Sequence, residues 1–230
     1  AAIQKEYQGL IQRGTWTAVP RSDVPSGVRV MDSTFVFKDK STGAKARLVV
    51  RGDQQFPAPD PVSTYSASPA AAEIRILLSH ATQTGRGLHS VDISQAFVQA
   101  NPLPDDAHLY IRPPSALGLP KDTVWKLRRP LYGLACAPRA WSDTLTPFLR
   151  DYGFTSVNHS ETFFTWSDPS DTKHISLVFH VDDILMSFDD EEAVAAFKRA
   201  LLSRFQGTDD GPVTKYVGLE VQRTATTLTI

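Results

Sequence analysis

The sequence predicts a mixed α+β domain, and three observations support this fold class. Stretches with helical spacing alternate with runs rich in β-branched and aromatic residues along all 230 residues. Hydrophobic residues make up 41% of the chain, which is enough to bury a sizeable core. No internal repeat and no low-complexity segment interrupts this alternation. We therefore expect helices packed on antiparallel strands.

The first half of the chain is predicted to contain two helices, a hairpin and a strand. A helix should end at Gly14, and a connector should follow it. Residues 29–50 form two β-rich runs around the polar turn Lys-Ser-Thr-Gly, as in a hairpin. The run AAAEIRILLSHAT places its apolar residues on one helical face, namely Ile74, Leu77, Leu78 and Ala81. A strand, GLHSVDI, comes next.

The second half is predicted to contain more strands, with a helix on either side of a hairpin. Strands are expected at HLYIRP, VWKLRR and ETFFTW, and a helix at residues 139–152. HISLVFHV should turn at Asp182-Asp183 into ILMSF, before the amphipathic helix EEAVAAFKRALLSRF. TKYVGLEVQR and TLTI should then pair as two strands that close the chain.

Charge and composition exclude several classes of protein. The net charge of −1 gives no sign of nucleic-acid binding, but residues 38–51 hold five basic residues against one acidic residue. Residues 182–210 hold eight acidic residues against three basic ones.

The single Cys136 excludes an internal disulfide and a cysteine-rich metal site. No apolar run approaches the roughly 20 residues that span a bilayer. Because the chain starts without Met and stops in a strand-like pattern, we expect an excised fragment.

Two adjacent carboxylates are the strongest local signal. Asp182 and Asp183 lie between the apolar runs LVFHV and ILMSF, which predicts a hairpin tip projecting from a buried sheet. Asp is a good turn residue, so a purely structural turn is the alternative. However, the tip lacks the Gly or Asn that tight hairpins prefer. A bound cation would also relieve the repulsion between the two charges.

Asp92 in SVDISQAF is a second source of carboxylate, although it could instead cap the following helix. Together with Asp182 and Asp183 it would supply the hard oxygen ligands that Mg²⁺ prefers. Two such ions, roughly 3.5–4 Å apart, can activate a hydroxyl and stabilise a leaving oxygen at phosphorus. The three aspartates therefore suit nucleotidyl transfer, with an unrelated Mg²⁺ phosphohydrolase as the rival interpretation.

The order of several motifs resembles the reverse transcriptase domain of copia-like retrotransposon Pol polyproteins over nearly the whole chain. The matching stretches are Thr15-Trp16, FVFK, KARLVVRGDQQ, TYSASP, EIR, DISQAF, YIRPP, LYGLACAPRAW, HVDDIL and YVGLEV. The resemblance implies a right-hand polymerase fold of fingers and palm, with an antiparallel palm sheet and packed helices. It also implies an RNA-directed DNA polymerase that uses Mg²⁺ or Mn²⁺.

The resemblance implies roles for the carboxylates and for the strand near the end of the chain. Asp92, Asp182 and Asp183 match the catalytic, metal-binding residues of the palm. A later segment, Tyr216, Val217 and Gly218, matches the strand that positions the primer end.

A further set of residues matches the part of the family that binds the incoming deoxynucleoside triphosphate. The hairpin residues Lys38, Lys40 and Arg47 match the fingers hairpin that closes over the triphosphate, although a solvated basic hairpin is the alternative. Phe97 matches the residue beneath the sugar that excludes a 2′-hydroxyl, with a core Phe as the alternative. Tyr132 and Gly133 match the segment under the nucleotide.

The resemblance also implies a subdivision of the chain, partners and a location. Residues 1–90 and 108–160 would form fingers, and residues 91–107 and 161–230 palm. The partners would be RNA and DNA template-primer, deoxynucleoside triphosphates, and the integrase and RNase H segments of Pol. The location would be cytoplasmic virus-like particles, or the nucleus.

This chain departs from the family pattern at a few positions. It has His180 where Tyr is usual, and Ala135-Cys136 where Lys-Gln is usual. A decayed or co-opted relative that only binds nucleic acid is therefore the alternative function.

Overall fold

The computed structural model describes residues 1–40, 43–55, 64–223 and 228–229, without the side chains at 39, 40, 43, 223, 228 and 229. The helices within these ranges are α1 (Ala2–Gln12), α2 (Ala71–Gln83), α3 (Ala96–Gln99), α4 (Ala137–Tyr152) and α5 (Glu191–Arg204). The strands of the first 130 residues are β1 (Trp16–Pro20), β2 (Val30–Met31), β3 (Ser33–Lys40), β4 (Gly43–Val50), β5 (Gly87–Ile93), β6 (Tyr110–Ile111) and β7 (Thr123–Leu127). The later strands are β8 (Thr155–Ser156), β9 (Phe163–Ser167), β10 (His174–His180), β11 (Asp183–Phe188), β12 (Gly207–Pro212), β13 (Lys215–Tyr216), β14 (Leu219–Glu220), β15 (Gln222–Arg223) and β16 (Leu228–Thr229).

The fold divides into two compact units. Unit 1 consists of residues 1–66 and 97–144, and unit 2 of residues 67–96 and 145–230. This division does not test the predicted boundaries of fingers and palm, which stay a prediction. No helix among the described residues has both the length and the apolar character needed to cross a membrane.

Unit 1 contains a small sheet and a separate hairpin. The sheet has the order β1-β7-β6-β2, in which only the β2–β6 pair is parallel. The rings of Trp16 and Trp125 stack across it with centroids 4.0 Å apart. The hairpin of β3 and β4 carries the basic cluster, and α1 supports it because the Glu6 carboxylate accepts a hydrogen bond from the Leu48 N–H at 3.2 Å.

Unit 2 is built on one antiparallel sheet of order β12-β5-β11-β10-β9-β8. On one face, Leu77 and Leu78 of α2 join Leu88, Val178 and Leu185 in a buried cluster. Helix α5 packs against β10 and β12. Because successive residues of a strand point to opposite faces, the contact of Lys198 in α5 with His89, the neighbour of Leu88, puts α5 on the opposite face from α2.

The structure confirms the α+β prediction and most of its elements. All four residues expected on the inner face of α2 are buried, as are Val194, Phe197, Leu201 and Phe205 at and after α5. The hairpin expected at residues 29–50 is formed by β3 and β4, whereas Val30–Met31 form β2, which pairs with β6. The turn residues 41 and 42 lie outside the described residues. The sheet that should carry the carboxylates is antiparallel, as predicted.

One local prediction was wrong, one strand was not predicted, and one strand pairing was confirmed only in part. The connector after α1 contains β1, and residues 207–212 form β12 although the sequence GTDDGP has almost no intrinsic preference for a strand. The predicted pairing of TKYVGLEVQR with TLTI is confirmed in part: Gln222–Arg223 (β15) pair with Leu228–Thr229 (β16), whereas residues 215–220 form a separate hairpin, β13–β14. The long strand breaks at Val217 and Gly218, whose φ angles of 45° and 83° belong to a tight turn.

Candidate active site

Asp182 and Asp183 lie at the tip of the β10–β11 hairpin, as predicted. His180 pairs with Asp183 at the end of the ladder, so Val181 and Asp182 form a two-residue loop. The backbone of Val181 has a φ of 53°. A β-branched residue in this left-handed region is strained by about 1–3 kcal/mol, and glycine is the usual choice there. The chain thus keeps a strained residue directly before the aspartate pair.

Asp92 lies on the neighbouring strand of the same sheet. Within the β5–β11 ladder Asp92 is directly opposite Asp183, and the Ile93 N–H donates a 2.8 Å hydrogen bond to the Asp182 carbonyl. Directly opposed residues of antiparallel strands point to the same face, with Cβ atoms about 4.5–5.5 Å apart. Asp92 is inside β5 and α3 begins only at Ala96, so Asp92 does not cap that helix. The register therefore brings the three predicted carboxylates to one edge of the sheet in unit 2.

The negative charges of the three aspartates at this edge repel one another. Burial and the neighbouring charges of Asp182 and Asp92 raise the pKa of Asp183, and His180 opposes this shift. A raised pKa means that the ionised form of Asp183 is disfavoured in this environment. A cation beside the three carboxylates would reverse that preference.

The donor set fits a divalent metal ion in its chemistry. Among the residues that the structure describes, no group of three or more His, Cys, Asp or Glu side chains is arranged to hold a metal ion. Mg²⁺ usually takes only one or two carboxylates and completes its shell with water and substrate phosphates, so the chemistry of these side chains still suits this ion. Asp92, Asp182 and Asp183 are the residues that would hold it.

The predicted primer-positioning segment is a hairpin anchored on the same sheet. Tyr216 is buried, and its hydroxyl donates a 3.3 Å hydrogen bond to the Val178 carbonyl of β10. Burial, with the nearby charge of Asp183, raises the pKa of the Tyr216 phenol. The anchored tyrosine leaves Val217 and Leu219 exposed beside the turn. Tyr216 is thus hydrogen-bonded to the sheet that carries the three aspartates, while Val217 is exposed to solvent.

Three of the residues predicted to bind the nucleotide form one cluster within unit 1. The Arg47 guanidinium lies over the Tyr132 ring, 4.9 Å from its centroid. The Phe97 ring meets the same Tyr132 ring edge-on at 4.9 Å between centroids. Lys38 is exposed and pairs with Lys45 across the β3–β4 ladder, whereas the Lys40 side chain lies outside the described part.

Close backbone contact at two glycines gives this cluster its shape. A Cβ atom on Gly133 would lie 2.0 Å from the Val50 carbonyl oxygen, and one on Gly52 would lie 2.1 Å from the Gly133 carbonyl oxygen. The Val50 N–H donates to the Tyr132 carbonyl at 2.7 Å. The hairpin base and the Leu-Tyr-Gly segment can therefore cross at this distance only because both residues are glycine.

Two groups of side chains that support these sites have no role predicted from the sequence. In unit 1, Gln54 accepts from the Asp32 N–H at 2.7 Å and donates to the Asp32 carboxylate at 3.0 Å, which ties the hairpin base to β2. Gln54 belongs to the family's Arg-Gly…Gln motif, and this motif is the sequence feature that indicates its importance. In unit 2, Lys198 contacts His89 Nδ1 at 3.0 Å and the Asp209 carboxylate at 2.8 Å. No local pattern signals this contact, because its members come from three elements.

Comparisons with known proteins agree with the resemblance. Residues 13–230 match the family described as reverse transcriptase (RNA-dependent DNA polymerase). The chain is 32% identical over 235 residues to the retrovirus-related Pol polyprotein from transposon RE1 of Arabidopsis thaliana, with 99% of this chain covered. It is 30% identical over 241 residues to that of transposon TNT 1-94 of Nicotiana tabacum, with 98% covered. The chain spans 16% and 17% of the length of these two relatives.

A solved structure supports the fold. The foamy viral protease-reverse transcriptase, determined in complex with double-stranded DNA, aligns with 99% of this chain and 34% of its own chain at a TM-score of 0.57. Sequence identity is 14%, so this likeness concerns the fold alone. The predicted α+β polymerase fold is confirmed.

Proposed function

The chain belongs to the reverse transcriptase family, and from this membership we propose that it copies RNA or DNA by joining deoxynucleotides to a primer. The observation that carries the proposal is the register that sets Asp92 opposite Asp183, beside Asp182 at the hairpin tip. A structural turn would explain Asp182 and Asp183, but it would not explain a third carboxylate opposite them or the strained Val181.

The proposed reaction is attack of the primer 3′-hydroxyl on the α-phosphate of a deoxynucleoside triphosphate. A phosphodiester bond forms, and pyrophosphate leaves. Asp92 and Asp182 would hold two divalent ions, Mg²⁺ or Mn²⁺, with Asp183 in support. When bound, these ions would neutralise charge at the attacking and leaving oxygens. No side-chain nucleophile is required, because positioning and charge stabilisation account for the acceleration.

Residues outside the carboxylate edge would bind and orient the substrates. Arg47, with Lys38, would bind the triphosphate, since a guanidinium can hold phosphate oxygens in bidentate fashion. Phe97 would exclude the 2′-hydroxyl of a ribonucleotide, and Tyr132 supports its ring. The Tyr216 hairpin would hold the primer end.

Partners and location are also part of the proposal, and the family resemblance implies them. The relatives are Pol polyproteins of transposons. We expect the chain to act beside integrase and RNase H segments on an RNA or DNA template-primer, within cytoplasmic particles or the nucleus. The predicted fingers and palm boundaries belong to the same proposal.

Primer extension on an RNA template with Mg²⁺ or Mn²⁺ tests the proposal. Asp182→Asn should reduce deoxynucleotide incorporation about 100-fold or more, the scale on which loss of one charge-stabilising group weakens an active site. The matched control is Asp151→Asn, which changes an exposed aspartate of α4 and should keep wild-type activity. Template binding without incorporation by the wild-type chain would instead favour a relative that only binds nucleic acid.

A further inference from the structure

Phe97 lies on helix α3, which is too short to be stable by itself. Helix α3 has four residues, whereas isolated helices of fewer than about 12–15 residues are marginal in water. The Phe97 ring is nevertheless 8% exposed and held edge-on against Tyr132. Contacts at the end of the turn must therefore fix its place.

The Arg129 guanidinium makes such a contact. One of its terminal N–H groups donates to the Ala100 carbonyl at 2.7 Å, directly after α3. Its Nε–H donates to the Arg13 carbonyl, at the end of α1, at 3.0 Å. Charged donors form strong hydrogen bonds, and a cation is favoured at the carbonyl end of a helix. A single side chain thus joins the carbonyls of the two residues that directly follow these helices.

Arg129 also belongs to the segment that carries Tyr132, three residues farther along. Its backbone N–H donates to the Thr15 carbonyl at 3.2 Å, and Leu131 is fully buried. The side chain therefore connects the Tyr132 segment to the turn of Phe97 by one short path.

A second anchor holds the same turn from its other side. The Asn101 N–H donates to Thr144 Oγ1 at 2.8 Å, and that hydroxyl donates to the Ala140 carbonyl at 2.7 Å. Because this anchor does not involve Arg129, removing the guanidinium should loosen the turn without unfolding it.

We infer that Arg129 is a positioning residue for sugar discrimination: it holds the Phe97 turn against Tyr132, so that the Phe97 ring stays where a ribonucleotide 2′-hydroxyl would collide. Arg129 acts through Phe97 and does not itself touch the nucleotide. This inference rests on the proposed function and assigns Arg129 to the same nucleotide site.

Arg129→Met tests it, with Arg128→Met as the matched control. Arg128 is adjacent in sequence, but its side chain binds the exposed Asp105 and Thr17. The readout is the ratio of kcat/KM for a deoxynucleotide to kcat/KM for the matching ribonucleotide. Arg129→Met should lower this ratio about tenfold, because small misplacements of a positioning group have large effects on selectivity. Arg128→Met should leave it unchanged.

A double-mutant cycle separates positioning from general loosening. If Arg129 acts through Phe97, then Arg129→Met should change the ratio less than about twofold in a Phe97→Val background. Additive effects, or an unchanged ratio in the single variant, would overturn the inference.

Amide hydrogen exchange tests the positioning role of Arg129 independently of polymerase activity. If the wild-type chain incorporates nothing, the proposed function fails, and exchange still reports on the contact itself. Amides of residues 97–101 should exchange faster in Arg129→Met than in Arg128→Met. Equal exchange in the two variants would overturn the positioning role.

Discussion

At the residue scale, glycines decide whether the basic hairpin can reach the Leu-Tyr-Gly segment. Gly133 combines a φ of 93° with a position where a Cβ atom would overlap the Val50 carbonyl. Either condition disfavours any other residue, and here both apply. The contact between Arg47 and Tyr132 depends on this crossing.

Gly133→Ala should therefore destabilise the protein by about 3 kcal/mol or more, because the overlap adds to the unfavourable φ. The matched variant is Gly118→Ala, since Gly118 has a φ of 64° but open space around its Cα. It should be destabilised by about 1 kcal/mol, the part due to φ alone. Urea unfolding measures both values, and equal destabilisation would contradict the steric argument.

At the scale of elements, a charged contact holds β12 and α5 to the strand that carries Asp92. β12 has little intrinsic preference for a strand, and the Lys198–Asp209 ion pair joins it to α5 at 2.8 Å. Lys198 also contacts His89 of β5 at 3.0 Å, which requires a neutral imidazole as acceptor. The two elements are thus tied to β5 on the face opposite α2.

Protonation of His89 should weaken this contact. Burial, and after it the charge of Lys198, lower the pKa of His89, while Glu191 and Asp209 oppose the shift. The unfolded chain then takes up the proton more readily than the folded chain. The stabilisation is present above the ordinary pKa of about 6.5 and is lost as pH falls through the lower folded value.

His89→Gln provides the test, because its amide can accept a hydrogen bond from Lys198 without titrating. The free energy of unfolding of the wild-type chain should fall more steeply than that of the variant between about pH 7.5 and about pH 5.5. Urea unfolding at a series of pH values gives both curves. Parallel curves would show that His89 does not contribute to the pH dependence.

At the scale of the whole molecule, charge is divided between the two units. Unit 1 has 15 Lys and Arg against 10 Asp and Glu, a formal charge of +5, and unit 2 has 9 against 15, a charge of −6. The overall −1 conceals this division. A basic unit suits nucleic-acid phosphates, and an acidic unit suits divalent cations.

Binding of a template-primer should accordingly weaken as salt rises. Lys38 and Lys45 face each other in the β3–β4 ladder, and replacing both by Gln should reduce the salt slope by about 1 for each phosphate that they neutralise. Arg199→Gln, in the acidic unit and paired with Glu192, should leave the slope unchanged. Fluorescence anisotropy over a salt series measures the slopes. Equal slopes in all three proteins would exclude a hairpin role in binding.

The amino-acid sequence alone determined the fold class, the faces of the main helices and the hairpin that carries Asp182 and Asp183. These features depend on local periodicity and on the apolar runs that flank the aspartates, and both are visible along the chain. The motif order also identified the reverse transcriptase family, which the comparisons confirmed.

Only the tertiary structure decided which distant segments meet. β12 lacks strong strand preference, and β1 is a short segment that ends at Pro20; the two strands pair along the edges of β5 and β7 respectively. The same holds for the crossing of Gly52 and Gly133 and for the two carbonyls that bind Arg129, because their partners lie far apart in sequence. A local pattern contains no information about such partners. The free energy that selects them comes from packing and hydrogen bonding between distant segments, which exist only in the folded structure.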